Sequence, residues 1–422
     1  MACPSPNRPG RPKTLNMSEK RSSDIIVVGA GAAGLTAAIG LAQAGWNVRL
    51  IGRPDTGLNA RTVALFDGSL RLLENLGLID TLRSDFAALA TMRIVDDTGS
   101  LFFVPPVEFH ATEIGLDVFG ENIENRLLVT RLMAAARQTP GLEIAEGIVT
   151  HVIHEQESAE VLLDDGRQFS ARLLVAADGR KSLLRKAAGI ATRDWSYPQT
   201  ALTALLSHER PHREVSTEFH TRQGPFTFVP LPGKPGMPNR SSLVWMMDPQ
   251  EARRRERLDD ALLAREMERQ SHHLLGRLHL EGPRAFFPMS GLAATQLAAR
   301  RTILVGDAGH GFPPIGAQGL NLGLRDVAYL IDCLAQGDDP GADDVLARYT
   351  AARQTDIRTR TFGVDLLNRT LLNGILPVDA ARGLGLMALA NIRPLRRFVM
   401  REGVMPRGSV PRLMQAQGAN SR

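Results

Sequence analysis

A strand, a cluster of glycines, an apolar helix and a second strand follow one another without interruption between Asp24 and Ile51. Asp24-Ile25-Ile26-Val27-Val28 reads as a strand covered on both faces. Gly29-Ala30-Gly31-Ala32-Ala33-Gly34 is the turn, the apolar run to Ala44 the helix, and Asn47 to Ile51 the second strand. A lone G-x-G-x-x-G carries little weight, but here strand, turn, helix and strand fall in register. The first glycine allows the tight turn, the second lets backbone approach a pyrophosphate, and the third lets helix close on strand. The helix start offers unpaired N–H groups to negative charge. Gly29, Ala30, Gly31, Ala32, Ala33 and Gly34 are therefore the first candidates for contact with a dinucleotide. The acidic residue that usually ends the second strand and holds a ribose falls at Gly52. Arg53, Asp55 or bulk water then takes that role, and Arg53 is the candidate carried forward.

A second strand–turn–helix lies far along the chain. Ile303-Leu304-Val305 reads as a short β-branched strand and Gly306-Asp307-Ala308-Gly309-His310-Gly311-Phe312-Pro313-Pro314-Ile315-Gly316-Ala317 as a Gly/Pro turn. A helix follows from Gln318-Gly319-Leu320-Asn321-Leu322 through Val327 and Ile331. Asp307, at the strand end, is placed to accept from ribitol or ribose hydroxyls. A third strand-end of this kind, Leu173-Leu174-Val175-Ala176-Ala177-Asp178-Gly179, lies between the two. An Asp-Gly turn is explained by structure alone, and only its recurrence gives Asp178 functional weight.

At 422 residues, two intimately connected domains are expected. Cys3 and Cys333 are the only cysteines, too few for a disulfide framework, which points to a reducing compartment. Charge is uneven. Residues 1–21 carry five basic residues against Glu19, and residues 391–422 seven arginines against Glu402, on a slightly acidic body. Basic ends suit an anionic surface better than a nucleic-acid groove, and three Trp and three Tyr offer few stacking platforms. No apolar run reaches the roughly 18–20 residues that span a bilayer. The first 21 residues lack the apolar core of a secretory signal and are expected to be a disordered basic extension. A cytoplasmic protein, peripheral on the inner face of a membrane if its tail binds lipid, is the expected location. No metal site is expected: His272-His273 sits in a polar stretch with no second cluster to complete one.

Arg61-Thr62-Val63-Ala64-Leu65 is expected to open a helix through Leu70, Leu73 and Leu76, ended by Gly77. Arg61 either reaches cofactor phosphates or is a solvated helix-start residue. Glu124-Asn125-Arg126 begins another helix, with Asn125 facing a ring system or simply capping. Val149 to Val152 and Val161 to Leu163 are expected to pair around the turn Asp165-Gly166, and Val149 joins the cofactor candidates. From about 190 to 290, alternation in Ala201–Leu206, Val215–Phe219, Phe226–Leu231 and Leu243–Met247 predicts strands. A charged helix is expected over Pro249–Gly276, and helices over Asp343–Leu372. This predicts an α/β chain with a Rossmann-like dinucleotide-binding domain in three pieces, 22–90, 120–190 and 285–365. A β-sheet substrate domain comes from 91–119 and 191–284, and an amphipathic, basic helical region follows over 366–422. That last region suits an anionic membrane or a dock on its own protein, and both readings stay open.

The three motifs, in this order, resemble those of the class A flavoprotein monooxygenases over most of residues 24–400. The third looks much like that of para-hydroxybenzoate hydroxylase, which implies that fold. Gln318-Gly319-Leu320-Asn321-Leu322-Gly323-Leu324-Arg325-Asp326, with Arg61–Leu65, Glu124-Asn125 and Gly224-Pro225-Phe226, is similar to the ubiquinone-biosynthesis hydroxylases. The resemblance implies that the first glycines and Arg61 hold the FAD pyrophosphate, that Gly306 and Asp307 take the ribitol, and that Asn125 lies near the flavin. Asp178 is implied in contact with FAD and a passing nicotinamide. Backbone N–H groups of Gly319, Leu320 and Asn321 face the pyrimidine edge, Gly316 is a further cofactor-binding candidate, and Pro313 and Pro314 wall the reacting ring. The implied chemistry is transfer of oxygen from a flavin C4a-hydroperoxide to an electron-rich ring carbon of a polyprenylated phenol or benzoquinol in ubiquinone biosynthesis. O2 is the oxidant, and NAD(P)H or another transient donor the reductant. No catalytic base is assigned; Tyr197 and His220 are weak candidates. Hydroxylation of a small soluble phenol, or a weakly active flavin-binding part of a quinone-biosynthesis complex, are the alternatives.

Overall fold

A computed structural model of the chain describes residues 21–54, 57, 60–99, 105–313, 318–372, 385, 387–404 and 410–416. The expected extension up to Lys20, Asp55, the run Leu101–Val104 and the loop residues Pro314, Ile315, Gly316 and Ala317 lie outside them. The first glycine motif builds what its spacing demands. Strand β1 (Arg21–Val28) enters helix α1 (Ala32–Gln43), which returns to β2 (Val48–Ile51) alongside β1 and parallel to it. Ile25, Ile26 and Val27 are fully buried, as a strand with helices or strands on both faces must be. The same sheet runs β17 (Ala298–Ala299), β18 (Thr302–Leu304), β11 (Gln168–Ala176), β1, β2 and β8 (Leu142–Ala145). Strands β9 (Val149–His154) and β10 (Ala159–Leu163) extend it through β11. β1, β11 and β18, whose ends carry the three motifs, are thus neighbouring parallel strands of one mixed sheet.

A second sheet carries the alternating strands. Its order is β19 (His310–Gly311), β16 (Leu278–Ala294), β12 (Thr192–His208), β15 (Arg240–Met247), β14 (Gly224–Leu231), β13 (Val215–Thr221), β5 (Thr91–Asp96) and β6 (Val107–His110). One face buries Phe219, Phe226, Phe228, Leu243 and Trp245 against helices α5 (Pro249–Glu256) and α6 (Asp260–Gln270). Because side chains alternate along a strand, Glu218, His220, Thr227, Ser242, Val244 and Thr203 belong to the opposite face. That face meets a small third sheet of β3 (Thr62–Phe66), β7 (Gly120–Glu124) and β4 (Ala87–Leu89), where Thr62 Oγ1 donates to Ser242 Oγ at 2.8 Å. No helix among the described residues is long and apolar enough to cross a membrane.

Three expectations are corrected. Arg61–Leu65 does not begin a helix: Thr62–Phe66 pairs antiparallel with β7, and helix α2 (Asp67–Asn75) starts only afterwards. β-branched Thr62 and Val63 fit a pleated strand, and β7 supplies the partner that local sequence does not reveal. The charged stretch is two helices, because Asp259 accepts from Leu262 N at 2.8 Å and caps a new helix start. The Asp165-Gly166 turn joins β10 to β11, whereas β9 and β10 are joined across residues 155–158. Gly77 does end α2, in the left-handed conformation.

Arg240 ties the second and third sheets together. It is fully buried, and its guanidinium reaches Glu281 through Nε at 2.9 Å and Glu124, at the end of β7, through Nη2 at 2.8 Å. Lys234 Nζ also lies 2.8 Å from Glu124. Burial pushes the Glu124 carboxyl up, but hydrogen bonds from Lys234 and Arg240 prevail and hold it below its ordinary value. Arg240→Met leaves two carboxylates in the interior without their shared cation. It is expected to lower the unfolding free energy by about 3–5 kcal/mol, read from urea denaturation of the FAD-loaded protein.

Candidate functional site

The glycines of the first turn do separate jobs. Gly29 has φ +118°, and a Cβ there would lie 2.1 Å from the Ala177 carbonyl oxygen. A Cβ on Gly34 would lie 2.0 Å from the Gly29 oxygen, so both are needed for close packing of β1, α1 and β11. Gly31 is different: a Cβ there would meet no atom within 4 Å. It caps α1 with bare backbone, and no acidic side chain occupies the first turn. This leaves an open cradle at the positive end of a helix, which suits a pyrophosphate. Ala30 and Ala32 are buried beside it and Ala33 is partly buried.

Gly52 explains its own departure from the acidic pattern. Its φ is +156°, its N–H donates to the Ala145 oxygen at 3.2 Å, and a Cβ would stand 2.8 Å from Ala30 N. The end of β2 thus presses on the glycine turn, and any side chain there would force the two apart. Arg53 is exposed, with Nη2 3.2 Å from Asp164 Oδ2. Val149 is buried in a cluster with Ile51 and Leu163.

Asp178 stands one residue beyond the carbonyl that Gly29 packs on. Its Oδ2 accepts from the N–H groups of Leu183 at 2.8 Å and Leu184 at 3.3 Å, at the start of the short helix α4 (Leu183–Ala187). Its Oδ1 is buried with no hydrogen-bond partner among the described residues, and burial pushes the carboxyl above its usual range. An orphaned acceptor of this kind is costly unless a ligand donates to it. Nearby, Arg185 Nη1 donates to the Ala308 oxygen at 2.7 Å, which ties the Asp178 loop to the late motif.

The late motif follows β18. Gly306 has φ +59°, and a Cβ on it would be 3.7 Å from Ala33 Cβ, so the early and late turns touch. Asp307 is exposed on a single turn of 3-10 helix. Helix α7 (Gln318–Leu334) packs behind, where a Cβ on Gly323 would lie 3.1 Å from Gly306 Cα. Leu320 is half-buried, and a Cβ on Gly319 would meet nothing within 4 Å. The Asn321 side chain faces away from that opening: its Oδ1 accepts from Phe66 N at 2.9 Å and Ser69 Oγ at 2.8 Å, and its Nδ2 donates to the Ala64 oxygen at 2.7 Å. Asn321 therefore docks the start of α7 on the β3–α2 junction. Pro313 is buried, while Pro314 and Gly316 lie outside the described residues.

Asn125 opens helix α3 (Asn125–Ala136), and its N–H donates to the Arg61 oxygen at 3.0 Å. The Arg61 guanidinium lies 5.9 Å from the Phe287 ring centroid, between the third sheet and the second. The structure thus brings Gly29–Gly34, Asp178, Gly306, Asp307 and the start of α7 together, with Arg61 and Asn125 on the strand and helix alongside. Sequence reasoning missed Asp326, a fully buried carboxylate that accepts from Gly306 N at 2.9 Å, His310 Nε2 at 2.6 Å and Arg353 Nε at 2.8 Å. His310 is accordingly a structural residue. Among the described residues no group of His, Cys, Asp and Glu is arranged to hold a metal. The open Gly31 cradle and the orphaned Asp178 oxygen both fit FAD.

A family profile described as "FAD binding domain" matches residues 22–360. The chain is 35% identical over 419 residues to the ubiquinone hydroxylase UbiL of Rhodospirillum rubrum, covering 94% of each chain. It is 30% identical over 397 residues to the 3-demethoxyubiquinol 3-hydroxylase of Escherichia coli, covering 90% of this chain and 97% of that one. Among solved structures, p-nitrophenol 4-monooxygenase PnpA from Pseudomonas putida matches with a TM-score of 0.75 at 18% identity, over 92% of this chain and all of that one. HpxO of Klebsiella pneumoniae, complexed with FAD, matches with a TM-score of 0.71 at 19% identity, over 91% and 99%.

The glycine geometry separates packing from binding. Gly31→Ala is expected to leave the melting of the FAD-free protein within about 1 kcal/mol of wild type, because its methyl enters open space. The same variant weakens FAD binding by about 2 kcal/mol through lost backbone hydrogen bonds to a charged group. Gly34→Ala is expected to destabilise the FAD-free protein by about 2–3 kcal/mol. Thermal melting and the FAD-to-protein ratio after purification check both.

Proposed function

We propose, from the premise that the chain belongs to the class A flavoprotein monooxygenases of the ubiquinone-hydroxylase type, that it hydroxylates the aromatic ring of a polyprenylated phenol or benzoquinol on the way to ubiquinone. The observation that carries this reading is the meeting of three motifs at the ends of adjacent parallel strands, with a face of the second sheet that carries Ala201, Val244, Met246 and Phe287, the last of them beside Arg61. Residues 22–90, 120–190 and 295–365 form the FAD-binding part, and 91–119 with 191–294 the substrate part, the boundary moving from 285 because β16 stays in the second sheet as far as Ala294. When bound and reduced by NAD(P)H or another donor, FAD activates O2 and supplies one oxygen atom to an electron-rich ring carbon, the other leaving as water.

The chain's own residues do the rest. Gly31 and the first N–H groups of α1 take the pyrophosphate, with Arg61 as its cation. Asp307 accepts from ribitol hydroxyls, and Asp178 Oδ1 accepts a donor that burial otherwise denies it. The start of α7, at Gly319, Leu320 and Asn321, turns N–H groups and a positive helix end toward the pyrimidine edge, favouring negative charge there. Pro313 and the apolar sheet face keep water from the reacting ring.

The C-terminal region supports association with an anionic bilayer. Helix α9 (Arg393–Val404) follows helix α8 (Asp343–Leu372) in the described chain beyond α7. One side of it docks on its own protein. Arg396 is held by both Glu113 oxygens at 2.6 Å, and Met400 and Val404 are buried with Phe66 and Phe109. The helix exposes Leu395 and Val399, with Ile392 just before it, on one side of the docked face, and Arg393, Arg397 and Arg401 on the other. Exposed apolar residues and exposed arginines on one short helix suit a surface that is both apolar and negatively charged, and a prenylated substrate resides in a membrane.

In a deletion strain, quinone intermediates are expected to stop at a species one ring hydroxyl short, and ¹⁸O2 with purified protein to place one labelled atom in the product. Mass spectrometry reads both, and product without label sinks the proposal. Replacing Arg393, Arg397 and Arg401 by Gln is expected to weaken sedimentation with phosphatidylglycerol vesicles by on the order of 3 kcal/mol, with little binding to phosphatidylcholine in either case.

A further inference from the structure

The second sheet carries a carboxylate on the face opposite its helix-covered core, and no role in the cofactor site uses it. Glu218 lies on β13 in a row with Thr227 of β14, Val244 of β15 and Thr203 of β12. This is the face opposite the Phe219–Phe226–Trp245 core and continuous with Ser242, which reaches Thr62. The Glu218 side chain is 22% exposed, while His220 beside it is 6% exposed. His220 Nε2 lies 2.8 Å from Glu218 Oε1, and its Nδ1 is buried with no hydrogen bond among the described residues. A carboxylate can only accept, so His220 Nε2 donates to Glu218 and fixes its rotamer. The second carboxylate oxygen, Oε2, has only a long contact of 3.4 Å from Thr227 Oγ1. The Thr203 hydroxyl, on the same row, is likewise buried without a partner. Unspent hydrogen-bonding capacity thus collects on the face that meets Thr62 through Ser242 and Arg61 through Phe287, not on the helix-covered face.

We infer that Glu218 Oε2 accepts a hydrogen bond from the ring hydroxyl of the phenolic substrate, with His220 as the residue that positions it. This deepens the hydroxylase reading and rests on it. The carboxylate draws the hydroxyl proton and raises electron density at the ring positions ortho and para to it. As a ring carbon takes up oxygen, the ring O–H bond breaks, its proton moves to Oε2, and the electron pair left behind becomes the C=O of a dienone. Loss of the ring C–H proton to solvent, and return of the carboxyl proton to the ring oxygen, restore aromaticity. Asp96 of β5 is the carboxylate opposite His220 in the register. Its Oδ1 accepts from Thr98 N and Oγ1, within its own strand end.

The test compares 2-geranylphenol with its O-methyl ether, which cannot donate, by flavin-fluorescence titration of the FAD-loaded protein. Wild type is expected to prefer the phenol by roughly tenfold or more, the margin of a hydrogen bond to a charged group. Glu218→Gln keeps its amide oxygen on His220 Nε2–H and turns its NH2 to the ring, so it binds the two probes within about threefold of each other. His220→Gln retains a donor to Glu218 and retains the preference, whereas His220→Leu loses it. A wild type without preference, or Glu218→Gln with the wild-type preference, overturns the inference. Product analysis runs in parallel: wild type that prefers the phenol yet forms no hydroxylated product overturns the hydroxylase reading and leaves Glu218 as the hydroxyl's acceptor.

Discussion

A carboxylate cut off from water must find its donors inside the protein, and Asp326 finds three. Gly306 N–H, His310 and Arg353 converge on its two oxygens. Burial alone would push this group up and favour its neutral form, but the charges of His310 and Arg353 prevail and hold it below the ordinary carboxylate range. By linkage, the stability this contributes is present above the ordinary range and is lost as pH falls through the lowered value. The hub matters because of what it joins. Gly306 and His310 belong to the late turn, Asp326 to the middle of α7, and Arg353 to α8, which also sends the Tyr349 hydroxyl to the Leu304 oxygen at 2.7 Å. Asp307 can stand exposed for a ligand because the backbone on either side of it is held from behind.

Arg353 extends the same argument outward. Its Nη1 lies 2.7 Å from Asp356 Oδ2, and Asp356 also takes Arg325 at 3.1 Å and Arg360 at 2.9 Å. Burial pushes Asp356 up, yet three guanidinium groups drive it well below its ordinary value. Such a network, complete, costs little net free energy; broken at one member, it leaves an uncompensated interior charge. Arg240 does for the sheet-to-sheet contact what Asp326 does for the late turn. The two hubs fix the two walls of the cleft separately, one of backbone turns and one of alternating side chains.

What could be read from the chain follows the range of the interactions involved. The βαβ unit was legible because glycine spacing, strand and helix are all local, and the alternating strands of the second sheet were legible for the same reason. The late motif was legible as a strand end, a turn and a helix start, while the hub beneath it was not. Asp326 and Arg353 are separated by a whole inter-helix connection, and nothing in their local sequence marks them as partners. The Thr62–Phe66 strand was misread because its partner, β7, is remote and the segment runs directly into a real helix. Gly52 looked like a missing ribose ligand; the folded chain gives it a packing reason, contact with Ala30, that only the tertiary structure contains. His220 was visible as a candidate base, but Glu218, the more exposed member of the pair, became visible only once strand register put both on one face.

Helix α9 bears on how a water-insoluble ring would reach such a cleft. A membrane-binding segment on a flexible tether would raise local concentration without orienting anything. Here the helix is fastened by Arg396 to Glu113 and by Met400 and Val404 to a cluster that includes Phe66. Phe66 is the residue whose N–H the Asn321 side chain accepts, at the start of α7. Two contacts therefore separate the basic apolar surface from the backbone that would face the cofactor. Packed interiors transmit position because they are dense and resist deformation. A bilayer bound at Ile392, Leu395 and Val399 would accordingly set the angle of the cleft to the lipid plane, and a prenyl chain would enter in one orientation. Positioning of this kind is worth as much to a reaction whose protein contributes geometry rather than a nucleophile as any single hydrogen bond in the site.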